Sequence, residues 1–258
     1  MPRKHLFEFI DQRWFPEAIR NYETDFLQFL SNKTKLFVPI APVLLKGLKN
    51  TNGKQLLDLG SGGGGAFLSL NEELVRQEPS IQIQLSDYYP NKDAFQYTVD
   101  QAKNISFIEH SVDARNVPKE LTGFRTLFLT FHHFRPTDAQ AILQNAIDSK
   151  AGIAIVEAQE RSFKSILAMS FSWLSVLLTT PFIRPFSFGR ILFTYIIPIV
   201  PIFTVWDGIV SSLRTYSEDE LKQLVSQLEN SASFDWEISR MKSGPGELIY
   251  LLGTPKQS

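Results

Sequence analysis

The chain has 258 residues, enough for one large domain or for a domain carrying an insertion. Its 26 basic and 27 acidic residues leave a formal net charge of -1, which denies it the basic footprint of a nucleic-acid binder. Cysteine is absent, and with it any disulfide framework, thiol nucleophile or cysteine-based metal centre.

In chain order, residues 1–54 predict a helical cap. "MPRKHLFEFIDQRW" is charged and aromatic and lacks the apolar core of a secretory signal, so a cytoplasmic chain is expected. "FEFIDQRWFPEAIRNYETDFLQFL" has apolar residues at helical spacing, broken near Pro16. "APVLLKGLKNTNGK" predicts a further helix ending in a turn at Asn52-Gly53.

Residues 55–161 alternate between the two periodicities. "QLLDLG", "IQIQLSD", "ISFIEHSVDA", "TLFLTFHHF" and "GIAIVEA" predict strands. Between them "AFLSLNEELVRQ", "PNKDAFQYTVDQA" and "PTDAQAILQNAIDS" predict helices, the last with Thr137 as N-cap. Strands separated by helices imply a parallel sheet covered on both faces.

From 162 to 206 the pattern changes. Neither Ser165–Ile183 nor Ile191–Trp206 carries a charge, and Arg184 and Arg190 bracket "PFSFG" between them. "YSEDELKQLVSQL" then predicts a helix with Ser217 as N-cap and Glu220 three residues on. "FDWEISRM" and "ELIYLLGT" predict two closing strands around "KSGPG". The sheet thus resumes after the apolar segment, which makes 162–206 an insertion. The expected fold is α/β, a Rossmann-like doubly wound and mostly parallel sheet with an antiparallel C-terminal edge. N-terminal helices precede it, and residues 55–161 with 207–258 form its main domain.

"LLDLGSGGGGAFLSL" places five glycines between Gly60 and Gly65, where a strand gives way to a helix. Such a turn lets backbone approach a ligand closely. It fits D-x-G-x-G-x-G at Asp58, Gly60, Gly62 and Gly64. The next strand ends in Asp87, where an acid can take both hydroxyls of a ribose. The third leads to Asp113, placed to accept from an exocyclic amine such as adenine N6.

This set resembles the class I S-adenosylmethionine (SAM)-dependent methyltransferases, over about residues 55–160 and the closing elements after 215. The resemblance implies SAM as cofactor, held by Asp58, Gly60, Ser61, Gly62, Gly64, Asp87, Tyr88, Asp113, Ala114 and Thr130. "FLTFHHF" is similar to the "LHHF" of methyltransferases acting on quinones and other lipophilic acceptors, which implies a small lipophilic acceptor. "DQRWFPEAIRNYETDFLQFL" and "WDGIVSSLRTYS" resemble a less-characterised branch of the same class. Gly63 and Gly65 make the turn richer in glycine than the family pattern, and the apolar insertion lies outside the family core.

A sulfonium methyl is already activated, so alignment supplies much of the acceleration, and a base is needed only where the acceptor loses a proton. Candidates near the acceptor are His132, His133 and Glu157; Glu157 can alternatively pair with Arg161. Adjacent side chains on a strand alternate faces, so the two histidines make a poor metal pair and no metal is expected. Trp14 and Phe15 either cover the site or pack as core. Asp207, Arg214 and Tyr216 either line the acceptor pocket or tie the insertion to the core. Tyr88 and Lys92 form a Y-x-x-x-K, too early in the sheet for the dehydrogenase pair.

Two other functions share this pattern, an NAD-dependent oxidoreductase on the same sheet and a non-catalytic, membrane-associated binding module. The insertion is expected to form two apolar helical segments that build the acceptor site, in one of three roles: a soluble lid or homodimer face, a shallow re-entrant or interfacial hairpin, and a transmembrane hairpin. Ser165–Ile183 is about the length of a spanning helix, which needs roughly 17–25 residues. Pro198 and Pro201 interrupt the second segment, and Trp173 and Trp206 suit a membrane interface.

Overall fold

The computed structural model describes residues 1–256. An N-terminal strap of turns leads to α1 (Glu17–Lys33) and α2 (Ala41–Asn50). The predicted sheet follows as β1 (Gln55–Leu59), α3 (Phe67–Gln77), β2 (Gln82–Ser86), α4 (Lys92–Gln101), β3 (Ile105–Phe107), β4 (Phe124–Phe128), α5 (Pro136–Asp148) and β5 (Ile153–Glu157). The insertion comprises α6 (Phe163–Ser170), α7 (Ser172–Thr179), the single turn α8 (Phe188–Ile191) and the first part of α9 (Ile199–Arg214). α10 (Glu218–Ser226), β6 (Phe234–Ser243) and β7 (Gly246–Pro255) close the chain.

The seven strands lie in the order β3-β2-β1-β4-β5-β7-β6. β1 to β5 are parallel, and β7 runs antiparallel between β5 and β6. Strand order reverses at β1, whose Asp58 stands opposite both Leu85 of β2 and Thr126 of β4. Ligands of open α/β sheets bind at such a switch point.

Alternation along β1 divides the core. Leu56 packs with Phe67, Leu70 and Phe128 on one face, while Leu57 and Leu59 pack with Leu127, Ile142 and Leu251 on the other. A third cluster joins Phe15, Ile19 and Phe26 to Val176, Ile183 and Val200, so the insertion shares a small core with α1.

Ser217 caps α10 in the predicted capping box with Glu220. Four local expectations change. Residues ahead of Pro16 form turns, because Asp207 takes the Phe9 and Ile10 amides (2.8 and 3.1 Å) that a helix would use internally. α5 begins at Pro136, with Arg135 rather than Thr137 at the N-cap. β4 stops at Phe128 because Leu129 takes φ +49°, and His132 and His133 lie on a 3₁₀ turn instead of a strand. The insertion is broken in several places, and α9 runs past residue 206 into the main domain.

Candidate active site

The glycine turn is built by close approach. Gly60 takes φ +81°, and a Cβ there would come within 2.5 Å of Thr130 Cγ2. A Cβ on Gly63 would stand 2.6 Å from the Thr24 carbonyl oxygen, so α1 lies directly on the turn. Asn32 of α1 completes the helix start that follows, its Oδ1 accepting from the Ser69 amide at 2.8 Å.

Two acids order this turn. Asp58 is buried; its carboxylate accepts from Thr126 Oγ1 (2.7 Å) and Ser61 Oγ (2.6 Å). Asp87 is half-buried at the end of β2; its Oδ2 accepts from the Gly62 amide and its Oδ1 from the Tyr89 amide, both at 2.7 Å. Asp87 therefore clamps the turn of β1 to the exit of β2. Burial pushes its carboxyl above the ordinary range, against the two amide bonds.

A cleft of about 480 Å³ opens over these strand ends. Eight of the ten residues expected at the cofactor line it: Gly60, Ser61, Gly62, Asp87, Tyr88, Asp113, Ala114 and Thr130. Asp58 and Gly64 do not. Asp58 spends both oxygens beneath the turn, and Gly64, at φ +107°, shapes the chain behind it. Asp113 pairs with Arg115 (2.7 Å), whose hydrogen bonds hold the Asp113 carboxyl below its ordinary value.

Of the three catalytic candidates, only His133 reaches the cleft. His132 is buried, its backbone amide donating to Glu157 Oε1 (3.0 Å) and its Nδ1 lying 2.9 Å from Glu157 Oε2. Glu157 thus orients His132; Arg161 pairs with Glu220 instead (2.6 Å). The two imidazoles stack with centroids 4.3 Å apart, rather than facing opposite ways.

The strap supplies what the sequence had not marked. Glu8, fully buried, lies 3.2 Å from His133 Nδ1, and Asp11 lies 2.9 Å from the same nitrogen. Arg214 sits among them, its Nη1 at 3.1 Å from Glu8 and 2.6 Å from Asp11. Burial works against a proton on His133, but Glu8 and Asp11 outweigh it and push the imidazole up to about 10. Glu8, His132 and His133 also bring one ligand atom each within 4.8 Å of one another, the geometry of a cation site. Arg214 already supplies positive charge at that point, 3.5 Å from His133 Nδ1.

None of the five residues expected at the acceptor pocket lines this cleft, and neither does any residue of 162–206, which were expected to build that pocket. Asp207 fixes the strap through the Phe9 and Ile10 amides, and Arg214 Nε donates to the Leu6 carbonyl at 2.7 Å. Tyr216 donates to the Phe134 carbonyl at 2.7 Å. Phe15 is core, and Trp14 is exposed beside it. The cleft wall comes instead from Ile10, Asp11, Arg20, Asn21 and Thr24 of the strap and α1. The apolar run of "FEFIDQRW" marked the segment, but not its fold.

The buried acids predict an unusual stability profile. Burial pushes Asp58 and Asp207 up to about 7 and Asp25 to about 6. Each native value exceeds that of the unfolded chain, so the native state holds protons the unfolded state releases. Their stabilising contribution is complete below roughly pH 4 and is lost as pH rises through 6–7. His133 adds a loss of the same sign as pH rises toward 10. The thermal midpoint is expected to fall from about pH 5 to about pH 8; a midpoint that rises across this interval contradicts the protonation assigned here.

No protein-family model matches the chain, and no curated protein matches it. Solved structures do. Human N-acetylserotonin methyltransferase in complex with SAM matches at TM-score 0.51 and 16% identity, covering 98% of this chain and 64% of that one. PigF with SAH matches at TM-score 0.50 and 20% identity, covering 95% and 63%. A Rhodobacter sphaeroides structure with the provisional name of Zn-dependent alcohol dehydrogenase matches at TM-score 0.51 and 13% identity, covering 92% and 99%. The chain thus spans just under two thirds of the length of N-acetylserotonin methyltransferase and of PigF. At these identities the likeness is one of fold, and together with the strand order it gives the chain the class I SAM-dependent methyltransferase fold.

Proposed function

We propose that the chain is a SAM-dependent methyltransferase acting on a proton-bearing group, such as a hydroxyl, of a small lipophilic acceptor. The observation that carries this is the convergence of Gly60, Gly62, Asp87 and Asp113 on one cleft with His133 in its wall. The solved structures of N-acetylserotonin methyltransferase and PigF, which contain SAM and SAH, support the same cofactor.

The residues fit such a cofactor. Each Asp87 oxygen has one amide bond and a further lone pair free for a ribose hydroxyl. Gly60, Ser61 and Gly62 would present backbone to the amino-acid portion of the cofactor, and Asp113 with Ala114 would hold its adenine. When bound, SAM supplies an activated methyl group for in-line displacement. His133 takes the acceptor proton, with Asp11 hydrogen-bonded to its Nδ1 and Glu8 adding negative charge 3.2 Å away, which leaves the other ring nitrogen to accept. His132, fixed by Glu157, stacks on His133 and sets the ring plane. Ile10, Leu27, Phe37, Phe128, Leu129 and Phe134 give the cleft an apolar wall, which favours a lipophilic acceptor.

Calorimetric titration with SAM and with NADH separates this function from an oxidoreductase, SAM alone being expected to bind. Asp87→Ala is expected to weaken SAM binding about tenfold to a hundredfold, as befits loss of a charged hydrogen-bond acceptor worth about 1.5–3 kcal/mol. Unchanged affinity in a folded variant removes Asp87 from the cofactor site. EDTA is expected to leave turnover unchanged, because Arg214 already balances the Glu8–His132–His133 group. Turnover abolished by EDTA and restored by one divalent ion would make that group a metal centre.

A further inference from the structure

The insertion leaves much of its apolar surface unburied. Phe188 is 83% exposed, Phe163 74%, Ile196 73% and Leu178 72%. The stretch Phe163–Phe182 is long and apolar enough to cross a membrane, with 11% of its window buried. Isolated exposed apolar side chains are ordinary, but so large a collection in one segment marks an interaction surface.

The charges accompanying this surface are all of one sign. Between Glu160 and Asp207 there is no acidic residue, while Arg161, Lys164, Arg184 and Arg190 are basic. Arg161 pairs with Glu220 and Arg190 with Asp25. Among the described residues, Lys164 and Arg184 are exposed and form no ion pair. Trp173, Tyr195 and Trp206 are partly exposed in the same segment, the side-chain types that settle at the headgroup level of a bilayer.

A second copy of the chain fits this surface poorly. A two-fold interface sets one patch against itself, and this patch has cations and no acids to meet them. A membrane-spanning arrangement fits poorly too. α6 and α7 pack along α9, and Val176, Ile183 and Val200 share a core with Phe15, Ile19 and Phe26 of the strap and α1. Helices fastened along the flank of the domain cannot leave it to cross a bilayer. The aromatic strap extends the same face: Phe7 lies 5.5 Å from Trp206 and Phe9 4.3 Å from Phe203, between ring centroids.

We propose that residues 162–206 are a monotopic membrane-docking face that sinks its apolar side chains into one leaflet and sets Lys164 and Arg184 against anionic headgroups. The face continues into the cleft, because the strap whose Phe7 and Phe9 pack on the insertion also lines the cleft with Ile10 and Asp11. An acceptor dissolved in the leaflet then has a short route to His133. Docking itself does not depend on the proposed methyl transfer.

The test adds full-length protein to preformed vesicles of phosphatidylcholine, with and without phosphatidylglycerol, and measures co-sedimentation. Binding is expected on both, stronger on the anionic vesicles, with salt removing only the difference. The combined variant Phe163→Ser, Leu178→Ser, Phe188→Ser and Ile196→Ser should bind at least about a hundredfold more weakly, since four apolar side chains no longer enter the leaflet. Lys164→Glu with Arg184→Glu should lose only the preference for anionic vesicles. Circular dichroism and thermal melting of each variant report folding, and SAM titration reports the cofactor site, so failure of docking and failure of the methyltransferase proposal are distinguishable. Wild-type protein that ignores both vesicles, or a fourfold variant that binds as well as wild type, overturns docking. A wild-type dimer in sedimentation that the fourfold variant converts to monomer, without vesicle binding, assigns the face to a second copy instead.

Discussion

Replacing His133 with alanine is expected to lower the turnover of methyl transfer about 10²–10⁴-fold, the usual contribution of a positioned base, while SAM affinity changes little. His133 lines the cleft with Asp11 and Glu8 2.9 and 3.2 Å from its Nδ1, and the role proposed for it is to receive a proton rather than to bind the cofactor. The pH profile gives a second readout. With the imidazole pushed up to about 10, the neutral form that accepts a proton is scarce near neutrality. The log of kcat/KM is therefore expected to climb with pH through the neutral range, with a slope of about one. Asp11→Asn removes one of the charges that raise His133, so its profile should shift to lower pH. The sulfonium charge of bound SAM should act in the same direction on kcat. A His133→Ala variant with near-normal turnover, or a flat profile, would place the proton acceptor elsewhere or show that none is needed.

Replacing Arg190 with methionine is expected to cost about 3–5 kcal/mol, as breaking a buried ion pair does. That corresponds to a fall of roughly 6–20 °C in thermal midpoint for a domain of this size. Arg190 is 1% exposed, pairs with Asp25, and donates to the carbonyls of Ile183 and Pro185. Without it, Asp25 keeps only the Asn91 amide at 3.0 Å, inside a nearly closed pocket. Burial already pushes Asp25 up to about 6, and loss of Arg190 raises it further. The variant should therefore lose most at alkaline pH and least in mild acid, where Asp25 takes a proton. Adding Asp25→Leu should recover much of the loss, since an apolar pair replaces a broken ionic one. A single variant as stable as wild type at about pH 8 would show that the pair does not fasten the insertion to α1.

What could be read from sequence were the features encoded locally. β1 and β5 announce themselves as short apolar runs, α10 by its capping box, and the glycine turn by a density of glycine that no helix or strand favours. Asp87 and Asp113 were legible because acids at successive strand exits have a limited set of uses. The histidines misled because Leu129 adopts a positive φ that only a glycine would have signalled. Continued as a strand, "FLTFHHF" splits the pair; ended at Phe128, it stacks them. Asp58 sits where the motif puts it, but the hydroxyls of Ser61 and Thr126 turn it inward, and Thr126 belongs to another strand. Glu8 and Asp11 escaped notice because their meaning comes from Arg214, some two hundred positions along the chain. Asp207 and Arg214 were noticed, but their partners in the strap were not foreseeable from spacing.

The fastening of the strap has a consequence for the order in which the protein matures on the ribosome. Residues 3–11 leave the exit tunnel some two hundred positions ahead of the groups that hold them, Asp207 and Arg214. β1 to β5 and their helices can condense while the first dozen residues still lack an anchor. Only when α9 has emerged can Asp207 capture the Phe9 and Ile10 amides and Arg214 draw in Glu8 and Asp11. Such late, long-range closure is the slow kind of contact. A nascent or C-terminally truncated chain would therefore carry the glycine turn, Asp87 and Asp113 but an ungripped His133, so that on the proposed function it could load its cofactor before it could turn over. On the proposed function, synthesis would in this way delay turnover until the apolar face and α9 have emerged.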